Sequence, residues 1–307
     1  MKRYLLHRLL LFFPSLLGVL TLVFFFIHFV PGDPVEVMLG ETASASDKEA
    51  LRRQLGLNEP VWTQYLGFLK GLAVGDLGRS LYHQEKVMDL VLARFPATLE
   101  LTLAAMAVAT LCALPLGVLA AWKRRTWVDR CALLLSLFGL AMPNFWLGPL
   151  LIIAFSIQLG LLPVSGRGGL SHLILPSLTL GTAMAALLTR MIRSSLLEVI
   201  HEDYIQSARA KGLSEITVWL KHALRNSLLP VTTILGLQFG SLLAGSVITE
   251  TIFTWPGIGR LTIQAIQTRD YPLVQGCVLV IAVCYLVVNL FTDILYRVID
   301  PRISYGK

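Results

Sequence analysis

Residues 8–33 read RLLLFFPSLLGVLTLVFFFIHFVPGD, with 24 residues between Arg8 and Asp33 that carry no formal charge. An α-helix rises about 1.5 Å per residue, so roughly 20 apolar residues cross the hydrocarbon core of a bilayer. This run is long enough, and five more follow it. Glu100 to Lys123 encloses 22 uncharged residues, Arg130 to Arg167 encloses 36, and Arg167 to Arg190 encloses 22. Arg225 to Glu250 encloses 24, and Asp270 to Asp293 encloses 22. The spacing predicts an all-α integral membrane protein with six transmembrane helices. The third run predicts a helix over about 131–160, ended by Gly160, Pro163, Gly166 and Gly168-Gly169. Pro143, in Ala141-Met142-Pro143-Asn144, is the natural place for a kink or break.

The composition agrees. Charged residues are 15% of the 307, against about 25% in a typical soluble domain. Hydrophobic residues are 55%, and the mean hydropathy is +0.69. A disordered chain, a disulfide-rich secreted domain and a water-soluble enzyme are excluded. Cys112, Cys131, Cys277 and Cys284 lie in or beside apolar runs without a CxxC pair, and read as small buried hydrophobes. Neither a disulfide, a zinc site nor any other metal or cofactor site is expected. Ala43-Ser44-Ala45 resembles a signal-peptide cleavage site, but the apolar run is too long and the site too far beyond it.

Basic residues orient the spans. With the N-terminus inside, the inner segments hold Lys2, Arg3 and Arg8, then Lys123 to Arg130, then Arg190 to Arg225, then Arg297, Arg302 and Lys307. The short outer loops hold only Arg167, Arg260 and Arg269. The positive-inside rule therefore places both termini in the cytoplasm. The net charge of +7 follows from topology and calls for no nucleic acid.

Two polar segments interrupt the spans. Residues 31–96 read as a small folded cap outside the membrane. Ser46 and Glu49 form a capping box, Gly56 a stop, and Pro60 opens a helix with Val61, Trp62, Tyr65, Leu66 and Leu69 on one face. Residues 194–226 read as a cytoplasmic helical hairpin, in which Gly212 stops one helix and Ser214 caps the next. Ser207, Ala208 and Ala210 are small enough for another surface to approach, with Arg209 and Lys211 available to its acids. An amphipathic hairpin lying on lipid headgroups fits the spacing equally well.

Within the spans, His28 reads as interfacial, and Glu250 and Asp293 as residues at span ends, with Asp293 paired to Arg297. Met142, Phe145 and Trp146 read as packing residues, and Asn144 marks the break. Trp255, Pro256, Gly257 and Gly259 form a turn cluster between the last two spans. It reads as a gate or packing loop, or as a plain connector.

Several stretches resemble the permeases of ATP-binding-cassette importers, in the peptide and nickel branch. Glu202-Asp203-Tyr204-Ile205-Gln206-Ser207-Ala208-Arg209-Ala210-Lys211-Gly212, with His222-Ala223-Leu224-Arg225-Asn226, is similar to their cytoplasmic coupling loop. Val30-Pro31-Gly32-Asp33-Pro34, Phe95-Pro96-Ala97-Thr98-Leu99-Glu100 and Glu250 to Arg260, with Arg269-Asp270-Tyr271-Pro272, resemble the branch's first permease subunit. The chain departs from the general importer pattern where Gln206 replaces a glutamate and where Leu224-Arg225 replaces Leu-Pro.

The resemblance implies a type I importer permease fold in a bacterial inner membrane. It implies an N-terminal span and outer cap over 1–95, and a permease core over 96–300 with its coupling loop at about 194–226. Asp203, Gln206, Ser207, Ala208, Arg209, Ala210, Lys211 and Gly212 would couple to an ATPase. The partners implied are a second similar permease, two cytoplasmic ATPases, an outer substrate-binding protein and membrane lipid. The chain has no Gly-x-x-x-x-Gly-Lys-Ser/Thr loop, so hydrolysis is expected in the partners. Di- and oligopeptides are the expected cargo, with nickel, a metal chelate or glutathione as alternatives. A stand-alone channel or secondary transporter also fits six spans, but spans one to three do not resemble four to six. An intramembrane enzyme lacks paired carboxylates or a Ser/His set at membrane depth.

Overall fold

A computed structural model of the protein describes residues 2–29, 32–40 and 42–299. Helix α1 (Lys2–Phe29) takes up the first apolar run. Asp33 caps the short α2 (Pro34–Leu39) by accepting the Val35 N–H at 2.9 Å, and Pro34 supplies a first residue that has no N–H to satisfy. The Asp33 carboxylate also takes the Arg52 guanidinium, which holds the arginine pKa above its ordinary value. Helices α3 (Ala45–Gln54) and α4 (Val61–Ala73) complete the segment before α5 (Val87–Trp122). The cap of α3 is Ser44, not the expected Ser46. Its hydroxyl accepts the Asp47 N–H at 3.2 Å and donates to the Asp47 carboxylate at 2.6 Å. Glu49, expected in that box, instead pairs with Arg53 one turn on, at 3.3 Å.

The third apolar run is not one helix. Helix α6 (Trp127–Ala141) ends at Met142, which proline forces into extended backbone at φ −81° and ψ 115°. Helix α7 (Asn144–Leu151), continued by a π-helical stretch at Ile152–Gln158, leaves at 105°. Five other helical stretches are long and apolar enough to cross a membrane. They are Leu10–Phe29, Val87–Trp122, Leu170–Val199, Glu215–Leu243 and Tyr271–Thr292, and the bent pair makes a sixth only if it counts as one span.

Helix α8 (Leu170–Val199) is followed by α9 (Asp203–Ala210). Then α10 (Glu215–Thr217), a π-helical stretch at Val218–Ala223 and α11 (Leu224–Gly245) run on without a break. The second half of the expected hairpin is therefore the opening of the next span. Helices α12 (Val247–Ile252), α13 (Ile258–Gln267) and α14 (Tyr271–Ile299) finish the described chain. The side chains of the expected Asp293–Arg297 pair lie outside the described residues.

Two compact units emerge. One comprises Met1–Thr98 with Pro256–Leu286, the other Leu99–Trp255 with Val287–Lys307. The first is built on an apolar cluster of Val87, Val91, Ile258, Leu261, Leu273 and Cys277. Gly276 lets α14 pass close to α5, because a Cβ there would meet the Val87 side chain. Asp270 pins the unit together. Buried at the start of α14, its carboxylate accepts the Ser80 hydroxyl and the N–H groups of Leu81, Tyr82 and Leu273.

In the second unit α8 is the central helix, with α6, α7 and α11 against it. Asp129 of α6 binds Arg193 of α8 at 2.6 Å and the Arg125 N–H at 2.9 Å. Two expectations about packing change. Cys277 is buried, whereas Cys112 is exposed and Cys131 and Cys284 are intermediate. Phe145 and Trp146, expected as packing residues, are exposed, on the side of α7 that neither α8 nor α12 covers.

Candidate functional site

Helix α9 is short, and its two faces differ. Ile205 and Ala208 are buried, packed on the Val218–Ala223 stretch. Asp203, Gln206, Ser207, Arg209, Ala210 and Lys211 are exposed. Only Ser207 and Ala210 therefore offer a small outward surface. Ala208, expected beside them, is 6% exposed and fills the protein's own interior. The spacing explains this: Ile205 and Ala208 are three apart and share one helical face.

Gly212 ends α9 in the left-handed region, at φ +78°. Its N–H returns to the Arg209 carbonyl at 2.9 Å, and the Leu213 N–H to that of Ala208 at 3.4 Å. Ser214 then caps α10, accepting the Thr217 N–H at 3.4 Å. The tight turn brings Arg209 against Glu215. The pair is bidentate, with Nε to Oε1 at 2.8 Å and Nη2 to Oε2 at 3.2 Å. Arg209, expected to seek acids on another surface, thus has one in its own chain. Lys211 remains outward.

The support behind this turn was not read from the sequence. Trp219, on the π-helical stretch, stacks on Trp122 at the end of α5, with ring centroids 5.9 Å apart and planes within 9°. Such a pair adds about 0.5–1.5 kcal/mol beyond area burial. Helix α9 therefore rests on a stretch that is itself stacked against the end of α5.

The turn cluster is a second candidate. Trp255 is 0% exposed, and its N–H bonds the Glu250 carbonyl at 2.8 Å. The residue before it, Thr254, adopts φ +51°, a costly conformation for a β-branched side chain. Arg167 lies over the Trp255 ring at 6.0 Å and binds Glu100 at 2.6 Å. The Gly166 N–H also ties to the Phe253 carbonyl at 2.8 Å. Separately, in the first unit, the Ile258 N–H opening α13 donates to Thr98 Oγ1 at 2.8 Å. Pro256, Gly257, Arg260 and Arg94 line a small depression there of about 90 Å³. Trp255, Gly257 and Gly259 are buried and Pro256 is half-buried. Glu250, expected at a span end, is 0% exposed and accepts from the Ser246 hydroxyl at 3.0 Å.

His28 is likewise more engaged than an interfacial residue need be. Nδ1 lies 2.7 Å from the Phe24 carbonyl, Nε2 lies 3.2 Å from Gln64 Oε1, and the ring stacks on Phe24 at 4.4 Å. It borders a cavity of about 320 Å³ lined by Phe24, Gln64, Phe68, Tyr271 and Gln275. Among the described residues no group of three or more His, Cys, Asp or Glu is placed to hold a metal.

Known proteins resemble this chain throughout. A family model described as the inner membrane component of binding-protein-dependent transport systems matches residues 113–305, and the model for its N-terminal part matches residues 1–102. The dipeptide transport system permease protein DppB of Escherichia coli strain K12 is 45% identical over 339 residues, covering 100% of both chains. The glutathione transport system permease protein GsiC of the same strain is 43% identical over 305 residues, covering 99% of this chain and 100% of that one. Among solved structures, an inward-facing MetNI methionine ABC transporter chain aligns with a TM-score of 0.59 at 19% identity. It covers 69% of this chain and 97% of that one, a likeness of fold.

Proposed function

Because this chain belongs to the family of inner membrane components of binding-protein-dependent transport systems, we propose that it is the first of two permease subunits in an ATP-driven importer of di- and oligopeptides. The observation that carries the cargo is the full-length identity of 42–45% to proteins named as dipeptide permeases. The partners are a second, similar permease, two cytoplasmic ATPases and an outer substrate-binding protein. Hydrolysis belongs to the ATPases, and this chain supplies the path.

Residues 203–212 form the coupling element. ATPase contact falls on the outward side of α9, at Asp203, Gln206, Ser207, Ala210 and Lys211, with Ala208, Arg209 and Gly212 holding that element in shape. The buried turn at Trp255 to Gly259 serves as a gate or packing element between the last two spans. Both termini face the cytoplasm, with an N-terminal transmembrane helix and an outer cap over 1–95 and the permease core over 96–300. A second reading, glutathione import, rests on the 43% identity to GsiC, and glutathione is itself a short peptide.

Two measurements test this. Tagged permease purified from gentle detergent should bring a second permease-like chain and an ATPase with it, and purification of the chain alone would remove the subunit reading. Uptake of labelled dipeptide by cells lacking this chain should collapse and return on complementation. Unchanged dipeptide uptake with lost glutathione uptake would move the cargo to the second reading.

A further inference from the structure

Helix α4 sits in the segment expected to form an outer cap, yet its partners lie deep along α1. Tyr65 OH shares a hydrogen bond of 2.7 Å with Thr21 Oγ1. The Tyr65 ring packs on Phe24 at 5.1 Å and on Phe25 at 5.4 Å, Phe68 stacks on Phe24 at 5.8 Å, and Trp62 meets Phe25 edge-on at 5.3 Å. The apolar stretch of α1 ends at Phe29, and the first charge after it is Asp33. At 1.5 Å per residue, Phe24 lies about 7 Å and Thr21 about 12 Å inside that end of the span. A helix touching α1 at those depths cannot stand wholly in water beyond the bilayer.

The three faces of α4 fit that placement. Gln64, Tyr65 and Phe68 are half-buried, with partners on α1 in His28, Thr21 and Phe24. Trp62, Leu66 and Ala73 fall within roughly 40° of one another on the wheel, on an adjacent, outward face. Trp62 is 67% exposed and Leu66 56% exposed. Thr63, Gly67 and Lys70 occupy the next sector round. The exposed apolar stripe continues the open face of α1, where only 11% of the spanning window is buried and Leu22 and Phe26 stand exposed. Tryptophan suits the boundary between headgroups and acyl chains, and lysine reaches back to water from there.

We propose that α4 lies within the bilayer leaflet reached by the C-terminal end of α1, with Trp62 and Leu66 against lipid and Thr63 and Lys70 toward the headgroups. The occupant of the stripe is lipid, because the stripe is continuous with a spanning surface and lies at the depth of the acyl chains. This holds whatever cargo the importer carries.

Site-directed spin labels test it. Single cysteines at positions 62, 63 and 66, in an importer complex whose native cysteines are replaced, are labelled and reconstituted into phosphatidylethanolamine–phosphatidylglycerol vesicles. Labels at 62 and 66 should collide several-fold more with oxygen than with a water-soluble nickel chelate, and the label at 63 should show the reverse order. Dominant collision with the chelate at 62 and 66 would overturn the proposal, and so would protection from both reagents, the signature of a protein partner. A second measurement needs no cysteine changes. The emission difference between the unmodified complex and Trp62→Phe should be quenched in vesicles of brominated lipid. An unquenched difference refutes lipid contact.

Discussion

Substitutions at Gly212 ask whether residues 203–212 act as a rigid lever. The backbone there stands at φ +78°, and a Cβ added at that position meets nothing within 4 Å. The cost of a side chain is therefore conformational, not steric with neighbours. An ordinary L-residue in the left-handed region costs about 1–2 kcal/mol, asparagine less, and a β-branched residue more. At about 1.4 kcal/mol per factor of ten, Gly212→Ala should weaken ATPase docking roughly tenfold. Gly212→Val should do worse, because relaxing the strain gives up the returns of Gly212 to Arg209 and Leu213 to Ala208 and parts Arg209 from Glu215. Gly212→Asn should stay close to the parent. The assay titrates ATPase onto permease immobilised in nanodiscs, with the membrane level of each variant as control. The order Gly, Asn, Ala, Val in falling affinity is the expected result. Val binding as tightly as Gly refutes the lever, and Asn failing as badly as Val shows a direct contact at 212 in place of a conformational one.

Charge reversal at either end of the Arg209–Glu215 pair should weaken ATPase retention, and the double swap Arg209→Glu with Glu215→Arg should restore much of it; a double variant no better than the singles would mean Arg209 serves an outside partner. Asp270→Asn keeps the size but turns acceptor capacity into a donor, so two of the four donors lose their oxygen, at about 2–6 kcal/mol in total. A large fall in the thermal midpoint and faster proteolysis near residues 74–86 should follow, and an unchanged midpoint would contradict the pinning role. A membrane-impermeant thiol reagent should reach a cysteine at position 48 in intact cells and one at position 215 only after lysis, and labelling of 215 in intact cells would reverse the orientation read from basic residues.

The spanning helices were legible because hydropathy over 20 residues integrates many weak signals. Gly212 and Ser214 were legible because each has one local job. Pro143 marked a break, but not its 105° angle, which depends on what α7 packs against. Ser44 and Ser46 each stand three residues before an acid, and the helix starts at the earlier of the two, two residues before the expected cap. Ala208 was legible too, since it shares a helical face with Ile205, three residues away. The internal partner of Arg209, the Trp122–Trp219 stack and the Ser80, Leu81 and Tyr82 donors gathered by Asp270 join residues far apart in sequence or across a tight turn. No local pattern carries such pairings.

The π-helical stretch at Val218–Ala223 is the seat of α9 and leads directly into α11. A π turn holds about one residue more than an α turn, so it works as an inserted residue absorbed without breaking the helix. Removing one residue there would let the helix continue as ordinary α while the residues beyond it keep the face they present, because the bulge already holds the extra residue. The same deletion in an ordinary α turn of α11 would rotate everything beyond it by about 100°. One-residue length differences among relatives are therefore expected to fall within 218–223 or in exposed turns such as 123–126, and to be rare along the rest of α11.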